Sequence, residues 1–157
     1  MAYNFNADEI FEMAEQIERN GANFYQSAAD NISDDDKKEF LIKLANMEKQ
    51  HEKSFAQLRK ELSEKDKEKT VFDPDNESAA YLKALADIRV FYKKEIDTSN
   101  IEEILKEAII AEKDSIVFYL GMKDLLPKSN ADKIDLIIKE EMKHVTALSN
   151  KLATLKK

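Results

Sequence analysis

The sequence contains no cysteine. Disulfides, thiolate metal sites and cysteine nucleophiles are therefore excluded. Glycine and proline occur only twice each, far below ordinary usage. So few turn-formers argue against a sheet protein with many tight turns and favour long helices. No apolar run approaches membrane-spanning length. The opening residues, MAYNFNADEI, lack the basic and apolar regions of a signal peptide. The expectation is a cytoplasmic protein with no membrane partner. Basic charge is short as well. A net charge of −7 disfavours nucleic acid, whose phosphates require basic patches.

What remains is a mixture of 43% hydrophobic and 36% charged residues in 157 positions, enough for one domain spanning residues 1–157 around a sizeable core. Apolar or small residues recur in steps of three and four, which predicts four long amphipathic helices. The first covers about Ala7–Ile32, with Ala7, Phe11, Ala14, Gly21, Tyr25, Ala28 and Ile32 on its seam. NISDDD follows, and Ser33 with Asp36 resembles a helix start. The second covers about Asp36–Leu62, with Leu41, Leu44, Phe55, Leu58 and Leu62. A charged stretch, Ser63 to Ser78, reads as a linker and precedes a shorter helix at about Glu77–Glu95 carrying Tyr81, Leu85, Ile88 and Phe91. Asp97 to Asn100 supplies a cap. The third long helix covers about Ile101–Leu126, with Ile101, Leu105, Ala108, Tyr119, Met122 and Leu126. Pro127 turns the chain, and the fourth covers about Asp132–Leu155, with Ile134, Ile137, Leu148 and Leu155. Short connections make two antiparallel hairpins. The segment of about 38 residues between them is long enough to cross the bundle. The expected fold is all-α: a ferritin-like four-helix bundle with one long crossover carrying an extra short helix.

Each seam is interrupted near its middle by a glutamate: Glu18, Glu48, Glu112 and Glu141. The chain has two histidines, and each lies one turn beyond such a glutamate, as Glu48-x-x-His51 and Glu141-x-x-His144. Burying a lone carboxylate costs several kcal/mol unless it is paired or neutralised. Four facing one another would repel strongly, and cations between them make the arrangement favourable. Residues at i and i+3 share a helix face, so a Glu oxygen and a His nitrogen at that spacing can reach one ion. One Glu from each of two helices plus a Glu-x-x-His pair from each of the other two is the di-metal carboxylate constellation of helical bundles. Six ligands with four charged carboxylates offset two divalent cations. Oxygen-rich ligation with imidazole suits two iron ions, manganese, or a mixed pair, rather than structural zinc.

The halves also repeat. ERNGANFY, Glu18 to Tyr25, parallels EKDSIVFY, Glu112 to Tyr119, and each half then continues to its Glu-x-x-His. A duplicated hairpin would give each metal one terminal Glu and one His, with Glu48 and Glu141 bridging. Tyr25 and Tyr119, on the same face as their glutamates, are candidates both for core packing and for hydrogen bonds to metal-bound carboxylates. Gly21 and Ser115 stand where the other helices carry histidine, leaving either close helix packing or room for an oxygen ligand. Glu15, Glu107 and Glu140 read as solvated.

In this order, Glu-x6-Tyr, Glu-x-x-His, Glu-x6-Tyr and Glu-x-x-His resemble the rubrerythrin branch of the ferritin-like superfamily across nearly the whole chain. The resemblance implies a non-haem di-iron centre that reduces hydrogen peroxide or dioxygen, with Glu18, Glu48, His51, Glu112, Glu141 and His144 as ligands. Tyr25 and Tyr119 would lie just outside them, and the bundle would be a homodimer. Rubrerythrins usually carry a rubredoxin module whose iron is held by four cysteines. With no cysteine here, the implied donor is a separate protein such as a rubredoxin. Rubrerythrins also place a further glutamate where this sequence has Ser115, so the six-ligand site looks closer to ferroxidase or generic di-iron sites. Two rival functions use the same residues: a ferroxidase or iron-handling protein oxidising Fe(II), and a non-catalytic metal-binding bundle.

Overall fold

A computed structural model of the chain describes residues 6–64, 80, 84 and 100–155. The described residues form four long helices: α1 (Ala7–Asp30), α2 (Asp35–Lys60), α3 (Ile101–Leu125) and α4 (Ala131–Leu155). The expected linker and short crossover helix lie outside the described residues.

Each start has a local cause. Asn6, Asp34 and Asn100 are the N-caps of α1, α2 and α3, and their side chains accept the backbone N–H of Glu9, Lys37 and Glu103 at 2.8, 3.0 and 3.3 Å. Acidic residues follow in each first turn, where the helix dipole favours negative charge. The expected start of α2 at Ser33 moves by one residue, because the Asp34 carboxylate takes the capping bond that the serine hydroxyl would have made. α3 ends because Leu126 precedes Pro127. The proline ring disfavours the helical region for its predecessor, and Leu126 is extended at φ −98°, ψ 161°. One turn of 3₁₀ helix, Lys128–Asn130, then leads into α4.

Contacts across each hairpin fix an antiparallel register. Near the C-terminus of α2, Arg59 binds both carboxylate oxygens of Asp8 near the N-terminus of α1, at 2.8 and 3.1 Å. In the second hairpin Lys123 pairs with Asp135 at 2.9 Å. The seams meet in one apolar core. Ile101 and Leu155, expected on those seams, are only half-buried at the helix ends. The buried stripe is also wider than the seams, because a helix facing a core buries a broad arc. It takes in Ile10, Ile17, Ala45, Ile104, Phe118 and Ile138. Phe55, one turn beyond His51, lies against Phe11 at 6.4 Å and Tyr119 at 5.1 Å between ring centroids, joining the two hairpins beside the polar layer. Each fully buried Leu, Ile or Phe contributes about 1.5–3 kcal/mol. That apolar majority is what can carry a polar layer at mid-length. No helix among the described residues is long and apolar enough to cross a membrane.

Candidate metal centre

The four glutamates and two histidines that interrupt the seams converge in the middle of the bundle, and all six are buried. They form two overlapping groups: Glu18, Glu48, His51 and Glu141, and Glu48, Glu112, Glu141 and His144. Within each group the candidate ligand atoms lie within 4.8 Å of one another. Glu48 and Glu141 belong to both, while Glu18 with His51 and Glu112 with His144 each belong to one.

The histidines orient alike. His51 Nδ1 lies 2.9 Å from Glu141 Oε1 and 3.6 Å from Glu18 Oε2. His144 Nδ1 lies 3.1 Å from Glu141 Oε2, 3.2 Å from Glu48 Oε1 and 3.5 Å from Glu112 Oε1. The rings stack with centroids 5.7 Å apart. The tyrosines cross between hairpins. Tyr25 donates its hydroxyl to Glu112 at 2.7 Å, and Tyr119 donates to Glu18 at 2.6 Å. Each tyrosine therefore serves the terminal glutamate of the opposite half. Ser115 is buried, but its hydroxyl donates to the Ala111 carbonyl of its own helix at 3.0 Å. The local bond takes the hydroxyl's only proton.

The electrostatics follow from crowding carboxyls out of water. Burial pushes Glu18, Glu48 and Glu112 well above their ordinary value of 4.5, and their acidic neighbours push them further. Burial acts on Glu141 in the same sense, but its contacts with Glu112, both histidines and Glu18 outweigh it and hold that carboxyl well below 4.5. Burial opposes charge on the histidines too. The bonds to Glu141 and neighbouring acids win, raising His51 to about 9 and, with Glu112 foremost, His144 to about 12. Burial and the adjoining carboxylates, Glu112 for one and Glu18 for the other, raise the Tyr25 and Tyr119 hydroxyls, which stay protonated donors. Protons thus do the neutralising when no cation is present.

This donor set fits a pair of divalent cations. Among the described residues, Glu18 Oε2 and Glu112 Oε2 are buried without a hydrogen-bond partner, and Glu48 Oε1 has only the ion-pair contact with His144. Orphaned buried oxygens are costly, and a cation held in each group would satisfy them. Two shared carboxylates, two terminal ones and two imidazoles match the di-metal arrangement of helical bundles.

Three glutamates expected in solvent behave differently. Glu140 pairs with His51 Nε2, although 47% of its side chain is exposed. Glu15, whose side chain is only 12% exposed, pairs with Arg59 at 3.0 Å. Glu107 is half-buried. Glu140 is the residue that sequence reasoning missed, and the duplication held the signal. Aligning Glu48 with Glu141 sets Glu140 opposite Met47, so this acid has no counterpart in the first half.

Among solved structures, the chain is similar to a crystal structure from Thermotoga maritima described as a ferritin-like diiron-carboxylate protein. The TM-score is 0.72, with 21% identity over 98% of each chain. At that identity the likeness establishes the fold, a ferritin-like helical bundle. No family model matches the sequence, and no curated protein matches it.

Proposed function

We propose that this protein is a non-haem di-iron oxidoreductase of rubrerythrin type that reduces hydrogen peroxide or dioxygen. The observation that carries the reading is the pair of buried four-residue groups sharing Glu48 and Glu141. Glu18 and His51 would hold one iron, Glu112 and His144 the other, and the two shared carboxylates would bridge. Two Fe(II) ions held there would supply two electrons, which with two protons would convert one hydrogen peroxide to two waters. The residues around the centre supply the setting. Tyr25 and Tyr119 hold one oxygen of Glu112 and Glu18, which leaves the other oxygen free to face a cation. Phe55, Phe118 and the two tyrosine rings keep bulk water away from the polar layer. Electrons would come from a donor protein such as a rubredoxin. The same proposal holds residues 1–157 to be a single ferritin-like di-iron domain in a cytoplasmic homodimer. The exposed Ile110, Val117 and Leu120 of α3 support the pairing.

A second reading, ferroxidase or iron handling, is favoured by Ser115. With its hydroxyl committed to Ala111, Ser115 offers no carboxylate to exchange at that position, and the centre would have six ligands. One experiment separates the readings. The anaerobic Fe(II)-loaded protein is mixed with one equivalent of hydrogen peroxide, or with dioxygen, in a stopped-flow spectrometer. Oxidation much faster with peroxide, restored by a reduced donor protein over many cycles, supports the oxidoreductase. Faster reaction with dioxygen and net uptake of iron favours ferroxidase. No reaction with either leaves a non-catalytic metal-binding bundle.

A further inference from the structure

The two halves of the centre match on the inside and differ on the outside. His51 and His144 both turn Nδ1 toward the carboxylates. On the far side of the ring, His51 Nε2 meets the carboxylate of Glu140. His144 Nε2 is buried and has no hydrogen-bond partner among the described residues. The duplication places half-buried Met47 where a second Glu140 would stand. Its thioether is a weak acceptor and carries no charge. The outer carboxylate is therefore supplied on one side only.

We propose that Glu140 makes the two metal positions unequal, so that the Glu18–His51 position takes a divalent cation before the Glu112–His144 position. The inference rests on the di-metal reading above. A histidine that binds a metal through Nδ1 is neutral and carries its remaining proton on Nε2. On His51 that proton has an acceptor ready, which fixes the tautomer and ring orientation and makes Nδ1 a stronger donor. On His144 the Nε2–H has no such acceptor among the described residues, so its metal-bound form lacks that outer support. The negative charge of Glu140 adds a further pull on a cation at the His51 side. Glu140 is thus a positioning residue that acts through His51.

The test uses the full-length, metal-free protein and Co(II) as the probe. Anaerobic titration is followed by calorimetry and by the side-chain resonances of the histidines, of which the chain has only two. The first equivalent should shift His51, with His144 following at an affinity weaker by about tenfold or more, the usual size of an outer-ligand effect. Glu140→Ala should weaken the first event by about tenfold and bring the two histidines' shifts together. Met47→Glu should strengthen the second event and narrow the gap while Glu140 stays in place. A merely structural clasp at Glu140 predicts none of this reordering, and a melting curve for each variant separates lost binding from lost fold. Simultaneous filling in the unaltered protein, or an order unchanged by Glu140→Ala, overturns the inference and leaves the di-metal reading standing. No Co(II) bound to the unaltered protein overturns both.

Discussion

The hairpin of α1 and α2 and the hairpin of α3 and α4 resemble each other most where they are buried and least where they meet solvent. Inside, each contributes a glutamate belonging to one group only, a Glu-x-x-His pair and a tyrosine that bonds to the other half. Outside, the first is clasped by Arg59 against Asp8 and Glu15, while the second has Lys123 against Asp135. Glu140 has no partner-half equivalent. All the exposed large hydrophobics among the described residues, Leu136 at 61% among them, lie on the second hairpin. The difference follows from what each environment penalises. A buried carboxylate without a partner costs several kcal/mol, so the interior tolerates little departure from its pattern. A surface ion pair is worth about 0–1 kcal/mol, so the exterior can diverge freely.

The strongest way to break the symmetry is to remove a ligand, and the outcome depends on which. Glu48→Ala takes a carboxylate from both groups and should abolish binding of both metals. Glu18→Ala or Glu112→Ala should each leave one metal per chain. Elemental analysis of anaerobically loaded variants reads this directly. Equal losses from Glu48→Ala and Glu18→Ala would contradict the shared role of Glu48.

The second effect sharpens the comparison between the empty and the loaded centre. In the metal-free fold Glu18, Glu48 and Glu112 sit above 4.5, and the histidines at about 9 and about 12 instead of 6.5. All five are raised groups, so their stability is fully present below their unfolded values and lost as pH rises. Above about pH 5 the folded state holds more protons than the unfolded one, and its stability falls as pH climbs toward 9. Glu141 is depressed and acts oppositely, but only below 4.5. Metal binding needs these groups deprotonated, so the loaded protein should gain stability over the same range. Melting temperatures taken across that range should diverge with and without metal. Parallel curves would contradict the assignment of these groups.

A smaller effect tests the crossed tyrosines. Tyr25→Phe and Tyr119→Phe each leave a buried carboxyl oxygen without its donor, a loss of about 1–3 kcal/mol. The pseudo-twofold arrangement predicts nearly equal losses in denaturant titration. The smallest effect belongs to the exterior: Arg59→Ala and Lys123→Ala should each cost about 1 kcal/mol or less, the arginine more because it pairs with Asp8, Glu12 and Glu15.

The buried Glu/His cluster was legible because a polar residue inside an apolar stripe is conspicuous, and four such interruptions in register have few explanations. Glu18, Glu48, His51, Glu112, Glu141 and His144 were all singled out in this way, and the structure brings them together. Glu140 and Glu15 were missed for the converse reason. They lie off the seam in helices full of glutamate, and nothing local distinguishes an acid that meets a histidine or arginine from one that meets water. The α2 cap was displaced by one residue because NISDDD offers several side chains able to cap, and their competition is settled by backbone geometry. Seams drawn as single rows left out Ile10, Phe118 and Ile138, since burial depends on how closely neighbouring helices approach. The crossover between the hairpins was readable only as a length, and its helix lies outside the described residues.

The most direct measurement is the number of iron ions bound per chain after anaerobic loading with Fe(II), by elemental analysis with Mössbauer spectroscopy on the same sample. The account predicts two irons per chain in carboxylate-rich sites, and a spin-coupled pair after oxidation. Fewer than one iron per chain in correctly folded protein would contradict it and leave two buried Glu-x-x-His pairs without an explanation.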